Sequence, residues 1–263
     1  MDHWKDNMLL KIANIVGCLG FLGSNIYIYI SSGGVYRPGK ETYFTPAPYV
    51  FLVWPFLNLL QLGYIVYQFT DNGKKRIIDG VGWFFPLLMV LDTAYVLSWM
   101  KSYYAVRHFL ALFLVLLLLP NTPAVPGLQN QDMSAHDQLW IRFPMVVHFV
   151  WASFLLILSD FEALGVDALN HPAGAYTKVF VFFGLWILEF LPSLHALHAS
   201  SNETALFLSI PVTYVLFAIF EPLVFTISAF GALLKNLYRV VSSWRNNISA
   251  LPDAERAPLL SGN

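Results

Sequence analysis

FTPAPYVFLVWPFLNLLQLGYIVYQF, residues 44–69, decides the fold. Pro46 and Pro48 lead into a long uncharged apolar run. Tyr49, Phe51 and Trp54 sit near its start, Tyr64 and Tyr67 near its end. Apolar length enough to cross a bilayer, with aromatic residues at both ends, is the pattern of a membrane-spanning helix. Pro55 lies within the first turns, where a missing backbone donor can kink a helix.

Six further apolar segments flank this one: Leu9–Ser31, Val81–Met100, Tyr103–Leu119, Leu139–Leu158, Tyr176–Leu191 and Ala205–Phe230. The expected fold is therefore all-α, a polytopic membrane helix bundle of about seven transmembrane helices. Composition agrees: 57% of residues are hydrophobic, 12% are charged, and the mean hydropathy is +0.59. A soluble domain of this length is far more polar. The net charge of −1 offers no footprint for nucleic acid. Cys18 is the sole cysteine, which excludes an intrachain disulfide and a cysteine zinc site. The aromatic share of 16% suits interfaces or an aromatic-lined cavity, interfaces being the commoner cause.

Between the segments the reading is plainer. Leu9–Ser31 followed by small residues also has the look of a cleaved leader, but its apolar core is long for one. Gly17, Gly20 and Gly23 fall near one face and would admit a neighbouring helix. Asp71 to Arg76 reads as a polar loop, and Pro120, Pro123 and Pro126 are expected to end the fourth segment. Beyond the last segment Leu233, Leu237, Val240, Val241, Trp244 and Ile248 recur at helical spacing, with Lys235, Arg239 and Arg245 off that stripe. This predicts an amphipathic interfacial helix over 232–250, or a continuation of the last span.

Loop charges set the orientation. Lys5, Lys11, Lys74, Lys75, Arg76 and Arg142 fall on one side and nine other basic residues, Arg107 among them, on the other, which favours a cytosolic C-terminus. Asn202-Glu203-Thr204 is then a lumenal glycosylation sequon. The tail, 251–263, reads as disordered and cytosolic. In it Glu255 with Leu259-Leu260 resembles an acidic dileucine sorting signal, which implies a coat adaptor as partner and an endosomal, lysosomal or vacuolar membrane.

Three ordered motifs carry a family resemblance. Thr45-Pro46-Ala47 with Tyr49, Phe51 and Trp54 is similar to the TPAxYxFxxW entry of the TspO/translocator-protein superfamily, in its longer tryptophan-rich sensory protein branch. Asp92, Tyr95 and Trp99 resemble its NxxWxxxW pattern. Trp140, Arg142, Phe143 and Pro144, with Trp151 beyond, resemble its WxRLPF…W pattern. The chain departs at Asn58, where tyrosine is usual, at Asp92 and Ser159, where asparagine is, and at Tyr95, where tryptophan is. The resemblance spans residues 8–165 and leaves 176–231 as two additional helices. It implies a five-helix core with a ligand cavity, association with tetrapyrroles or sterols, and a role in sensing or carriage. A tetrapyrrole would enter as ligand rather than cofactor, no enzymatic role is implied, and a homodimer is compatible.

The matched motif positions, together with the polar residues inside the spans, nominate a ligand site of Phe51, Trp54, Asn58, Asp92, Tyr95, Trp99, His148 and Trp151, with plain helix packing the equal alternative for the three tryptophans. Asp92 stands near the middle of a span, where a carboxylate must be neutral, paired or wetted. It is either a protonatable relay, a ligand anchor or a structural acid bonded to a neighbour. His148 could pair with it, or serve only as an interhelical hydrogen-bonder. Proton-coupled transport through Asp92, with Glu189 or Glu221, is the alternative function, and an intramembrane lipid-modifying enzyme another. Glu189, His195 and His198 invite a metal reading, yet Pro192 is expected to interrupt their face and no fourth ligand is evident.

Overall fold

The computed structural model describes residues 7–31, 41–46, 48–99, 103–124, 134–164, 168, 170, 172, 174–198 and 233–242, with side chains to 118 and 188 in the two helices that reach 124 and 198. All the regular structure among them is helical. Helix α1 is Met8–Ser31. Leu10, Asn14, Cys18, Phe21, Asn25 and Ile28 form its buried face, three or four residues apart, as an α-helix requires of one stripe. Helix α2, Val53–Tyr67, follows a 3-10 turn, Pro48–Leu52. Pro55 sits in the first turn of α2, where backbone N–H groups have no intrahelical acceptor, so its missing donor costs little there.

Asp71 to Arg76 is not a loop. Thr70 caps a helical turn, Asp71–Gly73, by accepting from the Gly73 amide at 3.0 Å. A π-helical stretch, Lys74–Val81, continues it and buries Ile77, Ile78 and Val81. The charge run is thus the outer face of an amphipathic segment. Gly82, at φ +58° and ψ −139°, turns the chain by 72° into α3, Phe84–Ser98.

Helix α4 is Tyr104–Ala124 and passes Pro120 and Pro123, which were expected to end it. Arg107, Ala111, Leu114 and Leu118 are buried along one face of α4. Helix α5, Phe143–Ala163, is buried on nearly every side and forms the centre of the bundle. Its lead-in, Ala135–Asp137 and Gln138–Arg142, is also helical. Ser134 and Asp137 cap it reciprocally: Ser134 Oγ donates to Asp137 Oδ2 at 2.9 Å, and the Asp137 amide donates to Ser134 Oγ at 3.2 Å. Helix α6, Ala175–His198, runs through Pro192 without interruption. A last helix covers 233–242, within the stretch expected to be amphipathic; Lys235, Leu237, Tyr238, Arg239 and Val241 are exposed on it.

Cross-helix contacts set the directions. Asn14 on α1 bonds Gln68 just beyond α2, so α1 and α2 are antiparallel. Gly17 meets Met89, and Gly20 nears Thr93, so α1 and α3 are parallel. Gln61 meets His148 and Tyr67 meets Asp137, which sets α2 antiparallel to α5. Arg107 meets Glu162 and His108 meets Asp160, which sets α4 antiparallel to α5. Helices α1 to α5 therefore make an up-and-down bundle. Leu9, Val16, Leu59, Val66, Val90 and Phe109 are among its exposed apolar side chains, an exterior suited to lipid rather than water.

Three helices among the described residues are long and apolar enough to cross a membrane: Met8–Ser31, Pro48–Tyr67 and Gln138–Ala163. A fourth is added if the bent pair ending at Ser98 counts as one. Described parts of α4 and α6 are shorter apolar helices. The chain is an integral membrane protein, helical in all the regular structure among its described residues. The seventh segment, the Asn202 sequon, Glu221 and the Glu255-Leu259-Leu260 tail lie outside the described residues.

Candidate functional site

Phe51, Trp54, Trp99 and Trp151 come together at one end of the bundle. They arrive from the 3-10 turn, the start of α2, the end of α3 and the middle of α5. The antiparallel order makes this meeting possible, since the start of α2 and the end of α3 share one end. Trp54 stands edge-to-face with Trp99 at 5.2 Å and with Trp151 at 5.6 Å between ring centroids. Phe51 lies 5.5 Å from Trp54, 5.2 Å from Trp99 and 6.0 Å from Trp151. Edge-to-face rings set a positive rim on a negative face, worth about 0.5–1.5 kcal/mol per pair beyond burial. Phe154 extends the cluster from Trp151 at 5.1 Å, and Phe44 stacks on Phe161 at 5.1 Å.

The polar residues meet nearer the middle of the bundle. His148 Nε2 hydrogen-bonds Asp92 Oδ1 at 3.0 Å, joining α5 to α3. Gln61 Nε2 lies 3.4 Å from His148 Nδ1 and adds α2 to the chain of contacts. All three side chains are buried. An intramembrane carboxyl is tolerable in such company, because its charge or its proton is held by a hydrogen-bond partner.

The other two nominated residues lie on α2 and α3. Asn58 Nδ2 donates at 3.0 Å to the Trp54 carbonyl one turn back along α2. Tyr95 is buried on α3 one turn from both Asp92 and Trp99, and its hydroxyl lies beside the Trp99 side chain, which ties it to the aromatic cluster. Helix α6 carries Glu189, His195 and His198, whose side chains lie outside the described residues.

Sequence reasoning missed Gln61, Arg107 and Glu162. Gln61 was legible, for it lies on the same face of α2 as Trp54 and Asn58 and is polar in an apolar run. Arg107 was counted as a loop charge, yet it is 0% exposed and its Nη1 lies 3.0 Å from Glu162 Oε2. Lys11 is buried as well, so one charge leaves each side of the orientation count and the inequality keeps its direction.

A family model described as TSPO-like protein matches residues 11–190. No curated protein and no solved structure matches the chain.

Proposed function

Because the chain belongs to the TSPO-like family, we propose that it binds a flat apolar small molecule, tetrapyrrole- or sterol-like, between its helices and acts as a sensor or carrier. The observation that supports this is the cluster of Phe51, Trp54, Trp99 and Trp151, whose crossed rings offer both faces and edges to such a body. Tryptophan quenching of the purified protein with protoporphyrin and a sterol analogue tests it. Saturable quenching that weakens about tenfold in Trp54→Phe or Trp151→Phe is expected, a loss of about 1.4 kcal/mol. Quenching that never saturates overturns the reading.

In this reading the chain crosses the membrane seven times, through α1 to α6 and the segment 205–230, and its tail is cytosolic. The tail signal at Glu255, Leu259 and Leu260 would deliver it to an endosomal, lysosomal or vacuolar membrane. Protection of a C-terminal tag from protease outside intact vesicles would overturn the orientation.

The Asp92–His148–Gln61 contacts favour a second reading, proton-coupled transport. It requires pH-dependent flux in reconstituted vesicles that collapses in Asp92→Asn. Unchanged flux in that variant overturns it.

A further inference from the structure

Arg107 lies in the first turn of α4 with its side chain wholly buried. Its Cζ is 4.7 Å from the Tyr104 ring centroid and 5.4 Å from that of Trp99. Glu162 supplies the counter-charge, but the 3.0 Å approach of Nη1 to Oε2 is off the line of a hydrogen bond. Among the described residues no guanidinium nitrogen of Arg107 has an acceptor, and Glu162 Oε1 has no donor. The indole nitrogen of Trp151 has no acceptor among them either, while that of Trp99 has only the Tyr95 hydroxyl beside it. Buried polar groups in native proteins are nearly always paired, so this set marks a missing partner.

The unmet groups define that partner's chemistry. Spare donors outnumber the one spare acceptor, so the partner must be rich in oxygen acceptors. The Arg107–Glu162 pair is already neutral, so a partner bearing a full extra charge would be costly in so buried a place. A carboxyl group shared with one proton meets both demands. One of its oxygens accepts from the guanidinium, and the proton lies between the other oxygen and Glu162 Oε1. Its planar pair of oxygens also matches the guanidinium fork, as a single hydroxyl does not. Trp99 touches both Arg107 and the rings of Phe51 and Trp54, so the polar end and the aromatic cluster are contiguous. At the next position of α4, His108 Nδ1 lies 2.6 Å from Asp160 Oδ1, with the two side chains 30% and 45% exposed. The α4–α5 seam therefore runs from this partly exposed pair to the buried one.

We propose that Arg107 and Glu162 receive the carboxyl end of an amphiphilic ligand whose apolar body rests on Trp99, Trp54 and Trp151. This rests on the aromatic cluster being a ligand site and names the polar group that such a ligand carries.

Pyrenebutanoic acid and its methyl ester test it, with energy transfer from tryptophan to pyrene as the readout in the full-length purified protein. The acid is expected to bind at least tenfold tighter than the ester. In the Arg107→Gln/Glu162→Gln double variant, which strands neither charge, acid affinity falls to that of the ester while the ester is unaffected. Equal binding of acid and ester to the unmodified protein overturns the anchor, needs no variant to fold, and leaves the aromatic site standing. A preference for acid that survives the double variant also overturns it. Failure of both probes to bind the unmodified protein overturns the aromatic site itself.

Discussion

His148 Nε2 lies 3.0 Å from Asp92 Oδ1 and 2.9 Å from Oδ2, while its Nδ1 faces Gln61 Nε2 at 3.4 Å. With Gln61 donating to Nδ1, the imidazole carries its proton on Nε2, toward the carboxyl. Gln61 Oε1 has no donor among the described residues in this arrangement. A second proton on Nδ1 would require the Gln61 amide to turn over and present Oε1. Side chains on three helices thus answer to the position of one proton.

Removing one member of that pair should cost more than removing both. His148→Leu leaves Asp92 buried without its partner, and a loss of roughly 3–5 kcal/mol is expected. Asp92→Leu with His148→Leu should recover much of it. Denaturant unfolding in detergent, run as a double-mutant cycle, reads the coupling, and strictly additive losses would show the contact to be energetically silent.

Phe44 fastens the segment 41–46 to the bundle. It is 0% exposed and stacks on Phe161 and, at 5.9 Å, on Phe154. Phe44→Ala is expected to cost roughly 3–5 kcal/mol. The Thr45 amide, now bonded to the Thr42 carbonyl at 3.0 Å, should exchange faster with deuterium than in the unmodified protein. Unchanged exchange would mean that the segment is held by its threonine bonds instead.

Two glycines should respond oppositely to alanine. A Cβ on Gly63 would fall 2.0 Å from a ring carbon of Trp140, so Gly63→Ala should destabilise by about 1–3 kcal/mol. Nothing lies within 4 Å of a Cβ on Gly23, and Gly23→Ala should be neutral or stabilising by up to about 1 kcal/mol. Thermal unfolding of the two variants side by side decides, and equal transitions would refute the close packing of Trp140 on α2.

Gly82 holds the bend into α3 at φ +58° and ψ −139°. That combination lies outside the left-handed helical region that asparagine tolerates. Gly82→Ala and Gly82→Asn should therefore both lose roughly 1–3 kcal/mol. A stable asparagine variant would mean that the bend relaxes to an ordinary left-handed turn.

Much of the fold was readable without coordinates because lipid imposes a simple rule: a spanning segment must be apolar and helical throughout. Segments beginning near Leu9, Phe44, Val81, Tyr103, Leu139 and Tyr176 all meet helices in the structure. What went astray lay at their ends. From Asp71 to Arg76 three basic residues hide the spacing of Ile77, Ile78 and Val81, so a helical stretch has the composition of a loop. The capping box of Ser134 and Asp137, by contrast, is legible in its spacing alone.

For the site, residue type sufficed to nominate aromatics and an intramembrane acid but not to group them. Hydropathy and motif order by themselves determined a helical membrane protein of TSPO-like type, since those signals live in single segments and their sequence. Only the tertiary structure decided that Trp54, Trp99 and Trp151 share one end, that Asp92 answers to His148 and Gln61, and that Arg107 is buried against Glu162 instead of standing in a loop. Those relations join residues as many as 97 positions apart, as Trp54 and Trp151 are. They depend on the rotation of each helix about its own axis. Packing against the other helices sets that rotation, and no one segment carries it alone.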